Sequence, residues 1–349
     1  MQALVTRPGV DGSTAVEETA APKPGAGEVL LRVLEVGVCG TDREIAHGQF
    51  GVAPDGRGAL VLGHEALAVV ERDGHGFQRG DLVTATVRRS CGHCLACAEG
   101  APDSCLTGDY AERGITRLDG FARELVAEDP AQLVPVPRSL GRLGVLAEPT
   151  SICARALRHA RTIGGRQPWR LGRALVLGAG AVGTLTALLL RLEGVEVTVA
   201  SLEPEAPLVE ALGARYAPAA AGALAGLGRF DLVVEGAGDA QLAADSLGLL
   251  DRGGVACLIG IDGRDRRVEL DGRVLALDFV LGNRVVFGSV NAHRQDWAAA
   301  VAALDAAAGR WRDVLESFVS LRVPLDRFAE AFDHRGGKAT LVLDDRWKK

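Results

Sequence analysis

With 349 residues, 48% of them apolar and 24% charged, the chain is long enough for about two globular domains and too apolar to be a disordered one. Its 45 acidic and 39 basic side chains leave a formal charge of −6, which argues against a nucleic-acid partner, whose phosphates need a basic surface, and for a small molecule. Aromatics are 4% against 45 glycines, so the core has to be built from Ala, Val and Leu between tight turns, the texture of an α/β enzyme.

Residues 1–9 read as a short strand and lack the basic flank and long apolar stretch of a secretory leader, so a cytoplasmic protein is expected. Short β-prone runs at 28–36, 67–71 and 81–87, separated by Gly, Asp and Pro, predict an irregular antiparallel β domain. The texture changes near residue 143, and 149–160 reads as a helix. From residue 173 onward, apolar runs at 174–177, 195–200, 232–234, 255–259 and 285–287 alternate with helical segments, which predicts βαβ units on a parallel sheet. The longest apolar run, 174–190, lies between Arg173 and Arg191 and is just too short for a membrane span. An Ala-rich stretch at 217–225 is expected to be a loop or short surface helix. After Asn291 come an Ala-rich helix, a strand at 318–321, a short helix at 325–332 and a last strand at 339–343. The expected domains are therefore 1–155, 156–292 and a return of 293–349 to the first domain.

The segment Gly178-Ala179-Gly180-Ala181-Val182-Gly183 joins a β-run to the apolar helix 184–192. A glycine for the tight turn, one for close backbone approach to a pyrophosphate and one for helix–strand packing form the dinucleotide fingerprint, with the helix N-terminus supplying N–H donors. The second strand should end on the residue that reads the adenosine ribose. It ends Ser201-Leu202-Glu203. Glu203 can accept from a 2′-hydroxyl and would repel a 2′-phosphate, so the reading leans to NAD over NADP, with Ser201 as the other candidate contact.

Cys91, Cys94, Cys97 and Cys105 have the spacing C-x2-C-x2-C-x7-C, which suits a closed tetrahedral structural zinc site, with His93 a bystander because four thiolates already fill the sphere. Seven cysteines are an odd number, and with four of them crowded between Cys91 and Cys105 they also suit a reducing compartment better than a disulfide framework. A second, dispersed set is Cys39 with Thr41 and Asp42, His64 with Glu65, and Glu148. A thiolate, an imidazole and a carboxylate from separate segments make a three-ligand site with an open position, which is what a catalytic zinc needs. Thr41, two residues beyond Cys39, is placed to reach a substrate hydroxyl.

These motifs, with Val87-Arg88-Arg89, 107–115, Asp119-Gly120-Phe121 and Gly288-Ser289-Val290-Asn291-Ala292, resemble the medium-chain zinc-dependent alcohol dehydrogenase superfamily, and more narrowly its glucose 1-dehydrogenase branch. The resemblance covers nearly the whole chain. It implies a GroES-like β-rich catalytic domain and a Rossmann domain with a doubly wound parallel sheet, the active site lying in the cleft between them. It also implies catalytic zinc on Cys39, His64 and either Glu65 or Glu148, and structural zinc on the four clustered cysteines. Glu112, Glu148 and Asn291 would face sugar hydroxyls. Members of the branch differ at Val87 and Ile152, where some carry Asn and Asp that contact sugar, and they often prefer NADP or use both cofactors, with Arg or Asn where this chain has Ser201-Leu202-Glu203.

The expected reaction is hydride transfer from a sugar hydroxyl, foremost C1 of D-glucose or a related aldose, to NAD(P), giving the lactone. Polyol, secondary-alcohol or aminocyclitol oxidation on the same scaffold is the alternative, and a non-catalytic nucleotide sensor the remote one. Glu112, Asn291 and the Arg88-Arg89 pair favour a substrate with many hydroxyls, since an apolar alcohol pocket would not tolerate buried carboxylates without partners. By analogy with the branch, a homodimer or homotetramer is expected, with 278–290 as the associating sheet edge. Neither nucleic acid nor membrane is expected as a partner.

Overall fold

The computed structural model describes residues 1–219, 223–265 and 267–345. They form two compact units: Met1–Ser151 with Asn291–Lys349, and Ile152–Val290.

The first unit is built on a seven-stranded sheet. Along it run Leu133–Pro135, Leu82–Ala85, Glu65–Val70, Val29–Val38, Ala339–Val342 and Leu321–Pro324, with Leu125–Glu128 also paired to Val29–Val38. The long strand Val29–Val38 is central, paired with Leu125–Glu128, Glu65–Val70 and Ala339–Val342, and its run of Val and Leu is largely buried. The last strand, Ala339–Val342, lies antiparallel to Val29–Val38 in the register Ala339 opposite Val38. The sheet's apolar cluster includes Val33, Val36, Ala68, Val83, Phe121 and Leu133. Buried Glu35 interrupts the apolar pattern and is held by Arg142, Arg322 and Thr340, since a buried carboxylate persists only with such partners.

In the second unit six strands run parallel in the order Arg215–Pro218, Glu196–Ser201, Arg173–Leu177, Phe230–Glu235, Leu250–Leu258 and Val285–Gly288. This is the doubly wound order 3-2-1-4-5-6, whose strand-order reversal makes a dinucleotide crevice. The strand Arg215–Pro218 has no counterpart among the predicted runs: only four residues long, it is half exposed, so it lacks the apolar signature of its neighbours.

Two elements differ from expectation. The helix after Asn291 runs from Arg294 to Phe318, with a kink at Trp311, and so consumes the start of the strand predicted at 318–321, which appears instead as Leu321–Pro324. Residues 220–222 of the Ala-rich stretch lie outside the described residues; its flanks are the strand Arg215–Pro218 and a 3-10 turn, Ala223–Leu227. Among the described residues no helix is long and apolar enough to cross a membrane.

Candidate active site

Cys39 stands where Val29–Val38 ends and the helix Gly40–Ala46 begins, and acts as its N-cap. Its Sγ accepts from the Thr41 amide at 3.2 Å, while the Asp42 carboxylate accepts from the Cys39 amide at 2.9 Å. The other Asp42 oxygen lies 3.4 Å from His64 Nδ1, and His64 Nε2 lies 3.1 Å from Cys39 Sγ. Asp42 thus faces Nδ1 as an ion-pair partner while Nε2 faces the thiol, the placement from which a carboxylate orients a ligating histidine. Burial opposes charge on His64, but Cys39 and Asp42 outweigh it and hold the imidazole well above its ordinary range.

Glu65 opens the strand Glu65–Val70 opposite Gly37, and only glycine fits there because a Cβ would collide with the Glu65 carboxylate. Ligand atoms of Cys39, His64 and Glu65 all lie within 4.8 Å of one another. Both Glu65 oxygens, however, accept from Lys338 Nζ at 2.7 Å, and both side chains are almost fully buried. Glu148 lies in the first turn of the helix Ala147–Gly164, in the electrostatic field of His64, Glu65, Lys338 and Asp42 but outside that close group. Burial pushes its carboxyl up to about 7, with Glu65 adding to the rise against the opposing pull of His64 and Lys338. A buried carboxyl raised in this way, beside a thiol and an imidazole, completes a donor set that a divalent cation fits.

The four cysteines Cys91, Cys94, Cys97 and Cys105 converge, their sulfurs all within 4.8 Å of one another and Cys94 to Cys105 at 3.9 Å. Thiolates at about 2.3 Å from one tetrahedral zinc stand roughly 3.8 Å apart, so the lobe matches a closed site. His93 turns aside, its Nδ1 2.9 Å from the Cys91 carbonyl.

Glu112 is buried, and its Oε1 accepts from Arg88 Nε at 2.9 Å and from Asn291 Nδ2 at 2.8 Å. Arg88 stacks over the Tyr110 ring at 3.8 Å. The adjacent Arg89 is spent differently, on Glu128 and the Thr86 carbonyl, so of the predicted arginine pair only Arg88 touches this carboxylate.

In the second unit, Gly178 has φ +97° and makes the turn; a Cβ on Gly183 would strike the Gly178 carbonyl, whereas Gly180 faces open space. The helix Ala181–Leu192 follows with Gly180 as N-cap and no side-chain cap, so the amides of its first turn, Ala181, Val182 and Gly183, are available to an anion. Ser201 donates to the Glu203 carboxylate, and Tyr216 donates to the Glu203 carbonyl at 2.6 Å.

Three residues of these sites escaped the sequence reading. Lys338 carried one faint signal, being one of only four lysines in an arginine-rich chain. Tyr216 lies on the unpredicted strand. Glu235, buried at the end of Phe230–Glu235, accepts from the Ala237 and Gly238 amides at 2.8 Å and shapes the turn that packs on Gly178; it reads in sequence as an ordinary strand-end carboxylate.

Residues 25–138 match the alcohol dehydrogenase GroES-like domain, and residues 141–344 match the glucose dehydrogenase C-terminus. The chain belongs to the glucose dehydrogenase branch of the medium-chain alcohol dehydrogenases. Within that branch it is 41% identical over 342 residues to a glucose 1-dehydrogenase of Methanocella arvoryzae, covering 95% of each chain. It is 42% identical over 345 residues to a glucose 1-dehydrogenase of Thermoproteus tenax, covering 95% of this chain and 96% of that one. Among solved structures, a glucose dehydrogenase of Haloferax mediterranei in complex with NADP, Zn and gluconolactone superposes with a TM-score of 0.91 at 32% identity over 99% of both chains.

Proposed function

We propose that this protein is a zinc-dependent, NAD(P)-linked sugar dehydrogenase that oxidises C1 of D-glucose or a closely related aldose to the lactone. The observation that carries the sugar reading is the Glu112 carboxylate, buried yet fixed by Arg88 and Asn291. A pocket for an apolar alcohol would have no use for such a group, whereas a polyhydroxylated ring supplies the donors it needs. Whole-length identity with glucose 1-dehydrogenases supports the same substrate class.

Cys39, His64 and Glu148 would hold the catalytic zinc. Glu148 is preferred to Glu65 as the third ligand because Lys338 already neutralises Glu65, while nothing of comparable strength keeps Glu148 ionised. Zinc bound there would supply Lewis acidity toward the substrate hydroxyl, of the kind that brings bound water down to about 7. Thr41, at the start of the helix Gly40–Ala46, takes the hydroxyl proton and passes it outward. Glu112, through Oε2, and Asn291 orient the sugar, and Asp42 keeps the His64 ring in place. Cys91, Cys94, Cys97 and Cys105 would hold a structural zinc.

NAD(P) held by this unit would supply the hydride acceptor. Gly178, Gly180 and Gly183, with the amides of Ala181 and Val182, cradle its pyrophosphate, and Ser201 and Glu203 meet the adenosine ribose. The Glu203 carboxylate favours a 2′-hydroxyl, hence NAD. On this reading, Met1–Ser151 with Asn291–Lys349 is the catalytic part and Ile152–Val290 the cofactor part. The last strand of the parallel sheet, Val285–Gly288, with exposed Val280, Leu281 and Val286, suits association with a second copy into a dimer or tetramer. Seven free cysteines suit a reducing cytoplasm.

Initial rates of nicotinamide reduction, with a panel of aldoses and polyols, NAD and NADP in parallel and a chelator control, test the proposal. Chelator-sensitive turnover of D-glucose or a close aldose is expected. Silence on every aldose by a protein loaded with zinc at both sites would overturn the substrate assignment.

A further inference from the structure

Two routes leave the four-cysteine lobe and meet on one oxygen of Glu112, the first made of hydrogen bonds alone and the second of hydrogen bonds joined by the backbone of residues 291–293. Arg88 Nη1 donates to the carbonyl of Asp103, two residues before Cys105, at 3.0 Å, while Arg88 Nε donates to Glu112 Oε1. From the other side, His293 Nδ1 accepts from the Gln295 amide as the N-cap of Arg294–Phe318, so the ring proton sits on Nε2 and is donated to the carbonyl of Gly100 at 3.0 Å. Gly100 in turn donates to the carbonyl of the ligand Cys97. Two residues before His293 stands Asn291, buried with φ +64°, the left-handed region that asparagine tolerates better than other non-glycine residues. Its amide donates to the same Glu112 Oε1.

The lobe has no apolar core of its own to order it: Leu95 and Leu106 are exposed, and the convergent thiols are its centre. Its conformation therefore depends on its metal, and the side chains hydrogen-bonded to the lobe depend on that metal in turn.

We propose that residues 91–105 are a positioning element of the sugar pocket, fixing the Glu112 carboxylate through Arg88 on one side and through His293 and Asn291 on the other. Arg88 and His293 are thereby positioning residues, acting on the substrate through Glu112. This rests on the reading of Glu112 as a sugar contact. It goes beyond a lobe that serves stability alone, because loosening the lobe then weakens sugar binding at unchanged global stability.

The test is His293→Asn in the zinc-loaded protein. Asparagine keeps the N-cap and is too short to reach Gly100. The expected result is a sugar KM raised about tenfold, the size of one lost hydrogen bond to a fixed group, with kcat, Tm, zinc content and nicotinamide affinity unchanged. In a Glu112→Gln background the same substitution should have no further effect on KM. A second measurement needs no variant: by reciprocity, a saturating sugar substrate should raise the equilibrium affinity of the four-cysteine site for zinc in competition with a chelator, and should fail to do so in Glu112→Gln. If Glu112→Gln raises KM but His293→Asn leaves it alone or lowers only Tm, the positioning role is overturned. If His293→Asn raises KM equally in both backgrounds, the route through Glu112 is overturned. If Glu112→Gln itself leaves KM unchanged, the sugar contact fails instead, and the two failures are distinct.

Discussion

Lys338 and Glu65 stand 273 positions apart in the chain and meet as a doubly hydrogen-bonded, buried ion pair directly beside Cys39 and His64. Burial opposes the ammonium charge, but Glu65 and Cys39 outweigh it and hold the lysine above its ordinary range. Lys338→Met strands the Glu65 anion in the interior, and such a loss costs about 3–5 kcal/mol. A large fall in thermal stability is expected, partly recovered in Lys338→Met with Glu65→Gln. A single variant as stable as the parent would show that the pair carries no such weight.

Zinc stoichiometry separates the two sites. Cys39→Ser or His64→Ala should lose turnover and drop from two zinc ions per chain to about one, because the closed four-cysteine site keeps its own. Near-normal activity and metal content in either variant would remove that residue from the catalytic set. Glu148→Gln should weaken zinc binding more than Glu65→Gln, measured by competition with a chromophoric chelator.

Thr41→Ala is expected to lower kcat by about 10²-fold or more, within the range of a lost proton-transfer partner, while circular dichroism and Tm stay unchanged. Thr41→Ser should restore most of the rate, since it restores the hydroxyl. An unaltered kcat in the alanine variant would exclude Thr41 from the proton route.

Chelated protein should show a pH dependence that zinc abolishes. Burial raises the Glu148 carboxyl to about 7, above its ordinary 4.5, so between those values the folded state binds more protons than the unfolded one. Stability contributed by this group is then full at low pH and is lost as pH rises toward 7. Thermal melts of zinc-free protein should fall across that window, and Glu148→Gln should flatten the trend. Melts as steep in Glu148→Gln as in the parent would assign the trend to another group.

Cofactor choice should turn on the end of the strand Glu196–Ser201. Removing the Glu203 carboxylate in Glu203→Ala should cut the preference for NAD over NADP by about tenfold or more, the worth of a charged hydrogen bond. A ratio of kcat/KM for the two cofactors that does not move would leave Ser201 as the ribose contact.

Local pattern was sufficient for much of this molecule. The Gly178–Gly183 fingerprint is legible because its three steric demands fall at fixed short offsets, and the four cysteines because one lobe supplies every thiol. The parallel strands were legible through apolar runs that both faces of a covered sheet require, and Arg215–Pro218 was not, because an exposed edge imposes no such run. Cys39, Thr41, His64, Glu65, Glu112, Glu148 and Asn291 could be named from the sequence as separate pieces. Their partners could not. That Asp42 orients His64, that Lys338 holds Glu65 and that Arg88 and Asn291 share one oxygen of Glu112 are relations between distant segments, set by strand register and by the return of the chain's last strands to the central sheet. Sequence periodicity reports which face of an element is buried. Only tertiary structure decides which buried charge meets which, because that depends on side-chain direction at contacts tens to hundreds of residues apart.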